Sequence, residues 1–190
     1  MKKMKTVFEM IYSGKHNVTM GDVRPESAWV FTEPGVLATI KFDGTATAII
    51  DGKFYARFDV KKGRKVPANA IACEPAPDPV TGHWPHWVPV TDDPTFKWYK
   101  AAFANSKGDT LPDATYEAVG PHFQGNPYKL EKDVLVKHGS KIVTDLPTPM
   151  TKESLRDYFE SHMDMEGLVF YGKDNKRAKL RMKDFGLHWK

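Results

Sequence analysis

Short runs of apolar residues separated by turn-forming residues dominate the first half of the chain. Val36–Lys41 (VLATIK), Thr45–Ile50 (TATAII) and Phe54–Val60 (FYARFDV) each read as a strand. Asp51-Gly52 sits between the last two, and both residue types tolerate the positive φ of a tight hairpin turn. With Phe42–Gly44 at the preceding turn, the three runs predict a β-meander. The segment 74–95 (EPAPDPVTGHWPHWVPVTDDPT) is so rich in proline that neither a helix nor a central strand is expected there. It reads as a long loop anchored by aromatic side chains. A helix follows, with Asp93 as its cap, Pro94 at its first position, Phe96, Tyr99 and Phe103 on one face, and Gly108 at its end. Thr115–Gly120 (TYEAVG) and Asp133–Lys137 predict two more strands. Thr151 caps a second helix whose Leu155, Tyr158, Phe159 and His162 share a face. Met165–Tyr171 (MEGLVFY) and Ala178–Lys183 (AKLRMK) form a final hairpin around Lys173–Lys176.

This order predicts an α+β fold: antiparallel sheets with flanking helices. The strand–helix alternation of a dinucleotide-binding fold is absent, as are G-x-G-x-x-G and a Walker-type loop. A bound nucleotide must therefore be held by side chains on sheets rather than by a glycine-rich phosphate cradle.

Composition narrows the class. The 190 residues are 41% hydrophobic and 12% aromatic, which excludes a disordered chain and suits one domain spanning 1–190. No apolar run approaches the roughly 20 residues of a membrane helix, so no membrane association is expected. The charged start MKKMKTVFEMIYSGKHN lacks the apolar segment and cleavage site of a secretory leader, and reads as mature sequence in a cytoplasmic protein. The single cysteine, Cys73, precludes an internal disulfide, which fits a reducing compartment. Net charge is +4 and the isoelectric point about 9.0, which suits an anionic partner without selecting one. The basic run Lys61, Lys62, Arg64 and Lys65 is the best candidate for contact with nucleic acid. Trp84 and Trp87 can stack on bases, although packing of the proline-rich loop is the simpler role. His83, His86 and Cys73 fall short of the ligand spacing of a zinc site.

The candidate chemistry begins at Lys41-Phe42-Asp43-Gly44. A lysine ending a strand before an Asp-Gly turn projects its amine toward whatever the sheet faces. An amine attacks phosphorus only in its neutral form, which burial and nearby cations favour. Further along stand Arg57 on the next hairpin arm, Glu117 in Tyr116–Gly120 (YEAVG), and Glu166-Gly167 at the start of EGLVFY. Lys179 and Arg181 alternate on the last strand and so share a face, with Lys183 next along.

Taken in this order, K-x-D-G, Arg57, Y-E-x-x-G, E-G-L-V-F and K-L-R-M-K-D-F-G resemble the covalent nucleotidyltransferase superfamily of DNA ligases, RNA ligases and mRNA capping enzymes. The resemblance covers about Val36 to Leu187 and looks closest to the small RNA ligases. It implies the ATP-grasp-like nucleotidyltransferase domain of ligases and a three-step reaction. Lys41 takes AMP from ATP, AMP passes to an RNA 5′-phosphate, and a 3′-hydroxyl displaces it. The resemblance further implies that Lys179 and Arg181 neutralise the α-phosphate, with Lys179 also repelling charge on Lys41. Glu117 accepts the ribose hydroxyls, and Glu166 helps to hold Mg2+ or Mn2+. Asp43 and Gly44 shape the turn, and Arg57 grips the nucleotide or an RNA phosphate. The last basic pair is read as Lys179 with Arg181, with Arg181 and Lys183 as the alternative; an arginine stands where lysine is commoner. The chain leaves no room for a C-terminal OB domain after the last motif, which points away from capping enzymes and typical DNA ligases. RNA would then be bound by the catalytic domain itself or through a protein partner. The remaining alternatives are a minimal DNA ligase and a catalytically inactive nucleotide- or RNA-binding module.

Overall fold

The computed structural model describes residues 4–12 and 18–189. Its strands, in chain order, are β1 (Lys5–Thr6), β2 (Phe8–Tyr12), β3 (Val18–Val23), β4 (Leu37–Lys41), β5 (Thr45–Ile50), β6 (Lys53–Val60), β7 (Ile71–Ala72), β8 (Trp84–Pro89), β9 (Ala114–Val119), β10 (Val134–Lys137), β11 (Ile142–Val143), β12 (Gly167–Tyr171) and β13 (Arg177–Arg181). The helices are α1 (Trp29–Thr32), α2 (Lys97–Asn105) and α3 (Lys152–Ser161). This is a mixed α and β fold with mainly antiparallel sheets and few helices, the class the sequence pattern predicts. Among the described residues no helix is long and apolar enough to cross a membrane.

The chain divides into two compact units. One is Asp43–His138; the other combines Met4–Phe42 with Gly139–Lys190. The second unit holds a five-stranded sheet in the order β1-β13-β12-β4-β11, with β2 and β3 paired separately. All its sheet pairings are antiparallel except that of β1 with β13. Period-2 alternation sorts the side chains. Ala38, Leu168, Phe170, Ala178 and Leu180 point into a core with Val7, Phe8, Trp29, Leu155, Phe159 and Met182. Thr39, Lys41, Val169, Lys179 and Arg181 therefore share the opposite face. Helix α3 forms because Thr151 and Ser154 cap each other's backbone N–H groups at 3.1 and 2.9 Å, leaving Leu155, Tyr158 and Phe159 to enter the core.

The unit Asp43–His138 is built on a six-stranded antiparallel sheet in the order β10-β9-β5-β6-β8-β7. The predicted Asp51-Gly52 hairpin joins β5 to β6, and the Asp113 carboxylate accepts both turn N–H groups at 2.6 and 3.0 Å. Helix α2 starts after a 3-10 turn at Pro94–Phe96, where Asp93 accepts from the Thr95 N–H at 2.8 Å. Its Ala102 packs with Ala118, Phe123 and Tyr99.

The proline-rich segment departs from expectation. Trp84–Pro89 is a strand, hydrogen-bonded between β6 and β7. The Pro85 carbonyl accepts from the Cys73 N–H at 2.9 Å, whereas the Val90 N–H donates to Phe54 at 3.0 Å on the other side. In a strand the N and O of one residue point the same way and neighbours point oppositely. Pro85 and Pro89 thus both turn their missing N–H toward the two-residue strand β7, where few ladder bonds are lost. Prolines at alternate positions are compatible with a strand on that condition. The predicted three-strand meander does not form, because β4 pairs with β11 and β12 in one sheet while β5 and β6 pair with each other in the other. Two boundaries at the candidate residues also shift. β13 ends at Arg181, and Lys183 lies in a 3-10 turn over Met182–Phe185. Glu166 immediately precedes β12 rather than opening it.

Candidate active site

In the unit that contains Lys41, register decides which side chains meet. Gly167 of β12 lies opposite both Lys41 of β4 and Arg181 of β13. Val169 lies opposite both Thr39 and Lys179. Lys41 and Arg181 therefore flank Gly167 in one row, and Lys179 occupies the next row of the same face. Gly167 has no substitute here, because an added Cβ would sit 2.2 Å from the Leu180 carbonyl oxygen. This close approach keeps β12 and β13 together beside Glu166.

The Lys41 ammonium donates to the Glu166 carboxylate and, at 3.4 Å, to the Phe42 carbonyl. Both partners of the ion pair are shielded, with side-chain exposures of 24% for Lys41 and 9% for Glu166. Removing one partner of such a pair leaves an uncompensated charge, so the two residues depend on each other. Lys179 is pushed down to about 8, first by burial, then by the positive charges of Arg181 and Lys41; Asp184 and Glu166 act in the opposite direction. Arg181 is held by Asp184. Its Nη2 and Nε donate to Asp184 Oδ1 at 2.7 and 3.1 Å, and its backbone N–H donates to Oδ2 at 2.9 Å. A guanidinium has five N–H donors, so the others remain for a ligand. Lys183 is exposed on its turn, away from the strand face. Thr39 is buried on the Lys41 face, and its hydroxyl has no hydrogen-bond partner. Such a group costs about 1–3 kcal/mol unless a ligand pairs it.

In the other unit, the turn after Lys41 is pinned at two atoms. The Asp43 N–H donates to the Tyr128 hydroxyl at 2.6 Å, and the Gly44 N–H donates to Glu117 Oε1 at 3.1 Å. Gly44 is required because a Cβ would meet the Ala118 carbonyl oxygen at 2.2 Å. Glu117 Oε2 lies 2.8 Å from His138 Nε2, and His138 Nδ1 lies 2.9 Å from the Thr115 hydroxyl. A neutral imidazole satisfies both contacts by donating from Nε2 and accepting at Nδ1. The Glu117 carboxylate is thereby oriented from both sides.

Arg57 takes a different neighbourhood, 3.5 Å from Asp59 and around a cavity of about 90 Å³ with Glu74, Asp78 and His83. Lys61, Lys62 and Arg64 line a larger cavity of about 420 Å³ with Trp84; Lys65 is exposed outside that lining. Trp87 is 4% exposed, packed with Ala48 and Tyr55, so its ring is not available for stacking.

The residues singled out in the sequence thus fall into groups: Lys41, Lys179 and Arg181 on one sheet face with Glu166 paired to Lys41 at its edge, and Asp43, Gly44 and Glu117 around the first turn of the other unit. Sequence reasoning missed Thr39, Tyr128, His138 and Asp184. Only Asp184 carried a signal, as an acid three residues after a candidate arginine. Among the described residues no group of three His, Cys, Asp or Glu side chains is placed to hold a metal ion. In comparison with known proteins, the chain matches no family model and no curated protein.

Proposed function

We propose that this chain is an ATP-dependent RNA ligase with an ATP-grasp-like nucleotidyltransferase fold, joining RNA 5′-phosphate and 3′-hydroxyl ends through a lysyl-AMP intermediate. The observation that carries this reading is the sheet face on which Lys41, paired with Glu166, lies beside Lys179 and Arg181. Lys41 and Arg181 already hold Glu166 and Asp184, so the face carries three cations against two carboxylates, and the desolvated Lys179 is the cation that a further anion would stabilise. A nucleotide phosphate is such an anion.

In the first step the Lys41 amine attacks the α-phosphorus of ATP. The Lys41 ammonium loses one proton to solvent to become the nucleophile and a second as the N–P bond forms and the bond to pyrophosphate breaks, while the Glu166 carboxylate that it contacts orients it. Lys179 and the remaining Arg181 donors stabilise the charge that develops on the α-phosphate oxygens. In the second step an RNA 5′-phosphate oxygen attacks the same phosphorus, the N–P bond breaks, and a proton returns to Lys41. In the third step the 3′-hydroxyl attacks the activated 5′-phosphate and gives its proton to solvent; the phosphodiester bond forms, the phosphoanhydride bond breaks and AMP leaves. Glu117, oriented by His138, accepts ribose hydroxyls through its remaining lone pairs. Magnesium or manganese would arrive with the ATP phosphates and take Glu166 from the protein, an arrangement that needs only one or two carboxylates. When bound, the metal supplies charge neutralisation at the leaving pyrophosphate. The lone Cys73 supports a reducing, cytoplasmic setting.

The test is incubation with α-labelled ATP and magnesium. Label should stay on the denatured protein, be released by acid as a phosphoramidate, and vanish in Lys41→Ala. Protein that takes no label overturns the reading. Labelled enzyme offered nicked DNA, nicked RNA and single-stranded RNA should seal RNA; sealing of DNA alone would make it a minimal DNA ligase.

A further inference from the structure

We infer that the cavity between the turn after β6 and the loop before β8 is a binding site for the RNA strand, seating phosphates on Lys61, Lys62 and Arg64 beside an apolar floor. This rests on the proposed ligase reading for the identity of the strand, and deepens it by naming the residues that would hold the strand.

The cavity lies within the unit Asp43–His138 and has a volume of about 420 Å³. That is within the range of small-ligand pockets, roughly 300–1,000 Å³, and suits one nucleotide of a strand passing over it. Its lining combines Lys61, Lys62 and Arg64 with Val60, Val66, Val80 and Trp84, and contains no carboxylate. Cations without acids select anions. An apolar floor beside them selects anions that carry a hydrophobic face, as a nucleotide does and inorganic phosphate does not.

The walls are built rather than loosely draped. Asp78 Oδ1 accepts from the Val80 and Thr81 N–H groups at 3.0 and 2.8 Å. The Asp78 N–H donates to the His83 carbonyl at 2.9 Å and the Gly82 N–H to the Asp78 carbonyl at 2.8 Å. This closes the loop on itself and turns the Asp78 carboxylate toward its own backbone. The Lys62 stem lies against Gly82, its Cβ 3.1 Å from where a Cβ of residue 82 would be, so loop and turn touch. The Trp84 indole N–H donates to the Glu74 carbonyl at 2.7 Å, which fixes the ring in the lining. Val80 is 90% exposed. It forms part of the same lining as the three cations.

The experiment measures anisotropy of a labelled single-stranded oligoribonucleotide bearing a 5′-phosphate, with the full chain, from about 50 to 200 mM salt. Wild-type protein should bind with an affinity that falls steeply with salt. The variant Lys61→Ala/Lys62→Ala/Arg64→Ala should bind at least tenfold more weakly. Its log–log salt slope should be shallower by about 2, from three lost phosphate contacts at about 0.7 each on a single strand. Self-adenylylation by both proteins should be equal. Val80→Asp, an exposed change that adds a carboxylate to the lining, should weaken RNA binding in the same direction with unchanged thermal unfolding. Unaltered RNA affinity and slope in both variants would overturn the site. So would loss of self-adenylylation in step with RNA binding, which would make the cations part of the ATP site. A deoxyribonucleotide strand of the same sequence bound equally well overturns RNA as the specific occupant. Wild-type protein that binds RNA through these residues but takes no AMP leaves this site standing and removes the ligase reading.

Discussion

Lys179 shows how one residue ties the site to stability. Its amine is desolvated and faces Arg181 and Lys41, which lowers its affinity for a proton to about 8 from 10.5. Between these two values the unfolded chain holds more protons than the folded one, so stability rises with pH across that window and Lys179 disfavours folding most below about 8. Lys179→Met should therefore raise the melting temperature at pH 7, by the equivalent of roughly 1–2 kcal/mol, and the gain should vanish near pH 10.5. Thermal melts of both proteins across pH measure this. On the proposed reading the same variant should lose adenylylation, because the α-phosphate would lose its cation. Nucleotide binding by the wild type should take up a proton near pH 8, and calorimetry in buffers of different ionisation enthalpy reads it directly. His138 is a second residue-scale case. Its contact with Glu117 orients the carboxylate, so on the proposed reading, in which Glu117 takes the ribose, His138→Ala should weaken ATP binding by about tenfold, or about 1.4 kcal/mol. His138→Gln, which keeps a donor, should restore part of it, whereas a purely structural residue would show equal loss in both.

At the scale of elements, the sequence spoke most clearly where a turn or a period forced the answer. The β5–β6 hairpin, the Thr151-capped helix and the alternation of β13 were legible because Asp51-Gly52, Thr151 and the A-K-L-R run each leave one reasonable geometry. Strand β8 was not. Proline density argues against a strand only when every N–H is needed, and which side of β8 each proline faces is a property of its neighbours. Register was equally invisible: nothing local says that Gly167 falls opposite both Lys41 and Arg181. That register makes a prediction. Gly167→Ala places a methyl 2.2 Å from the Leu180 oxygen and 2.7 Å from the Arg181 Cα, both backbone atoms that cannot step aside. The strands must part, at a cost of about 2–4 kcal/mol. Glu166 and Arg181 are then displaced together. Urea unfolding should show the loss of stability, and adenylylation should fall with it. An exposed substitution on the same unit, Glu160→Ala, should change neither.

For the whole molecule, chain order matters more than any one contact. Asp43–His138 is continuous in sequence, while the unit bearing Lys41, Glu166, Lys179 and Arg181 is assembled from Met4–Phe42 and Gly139–Lys190. The single-domain organisation expected from length gave no hint of this, because the break falls inside the K-x-D-G motif, between Phe42 and Asp43. All pairings of the six-stranded sheet lie inside the continuous piece, as do the Asp113 clamp on its hairpin and the packing of Ala102 on Ala118 and Phe123. A piece of this size with its own sheet and core is large enough to fold alone. Expressed as residues 43–138, it should give a cooperative thermal transition by circular dichroism and dispersed amide resonances. Residues 4–42 alone should not, since β4 would lack both its neighbours, β11 and β12. The fragment 43–138 lacks Lys41 and should take no label from ATP. It keeps the cavity lined by Lys61, Lys62 and Arg64, so it should still bind single-stranded RNA with the salt dependence of the full chain. A folded fragment that has lost RNA binding would instead assign the strand to the unit that carries the lysine.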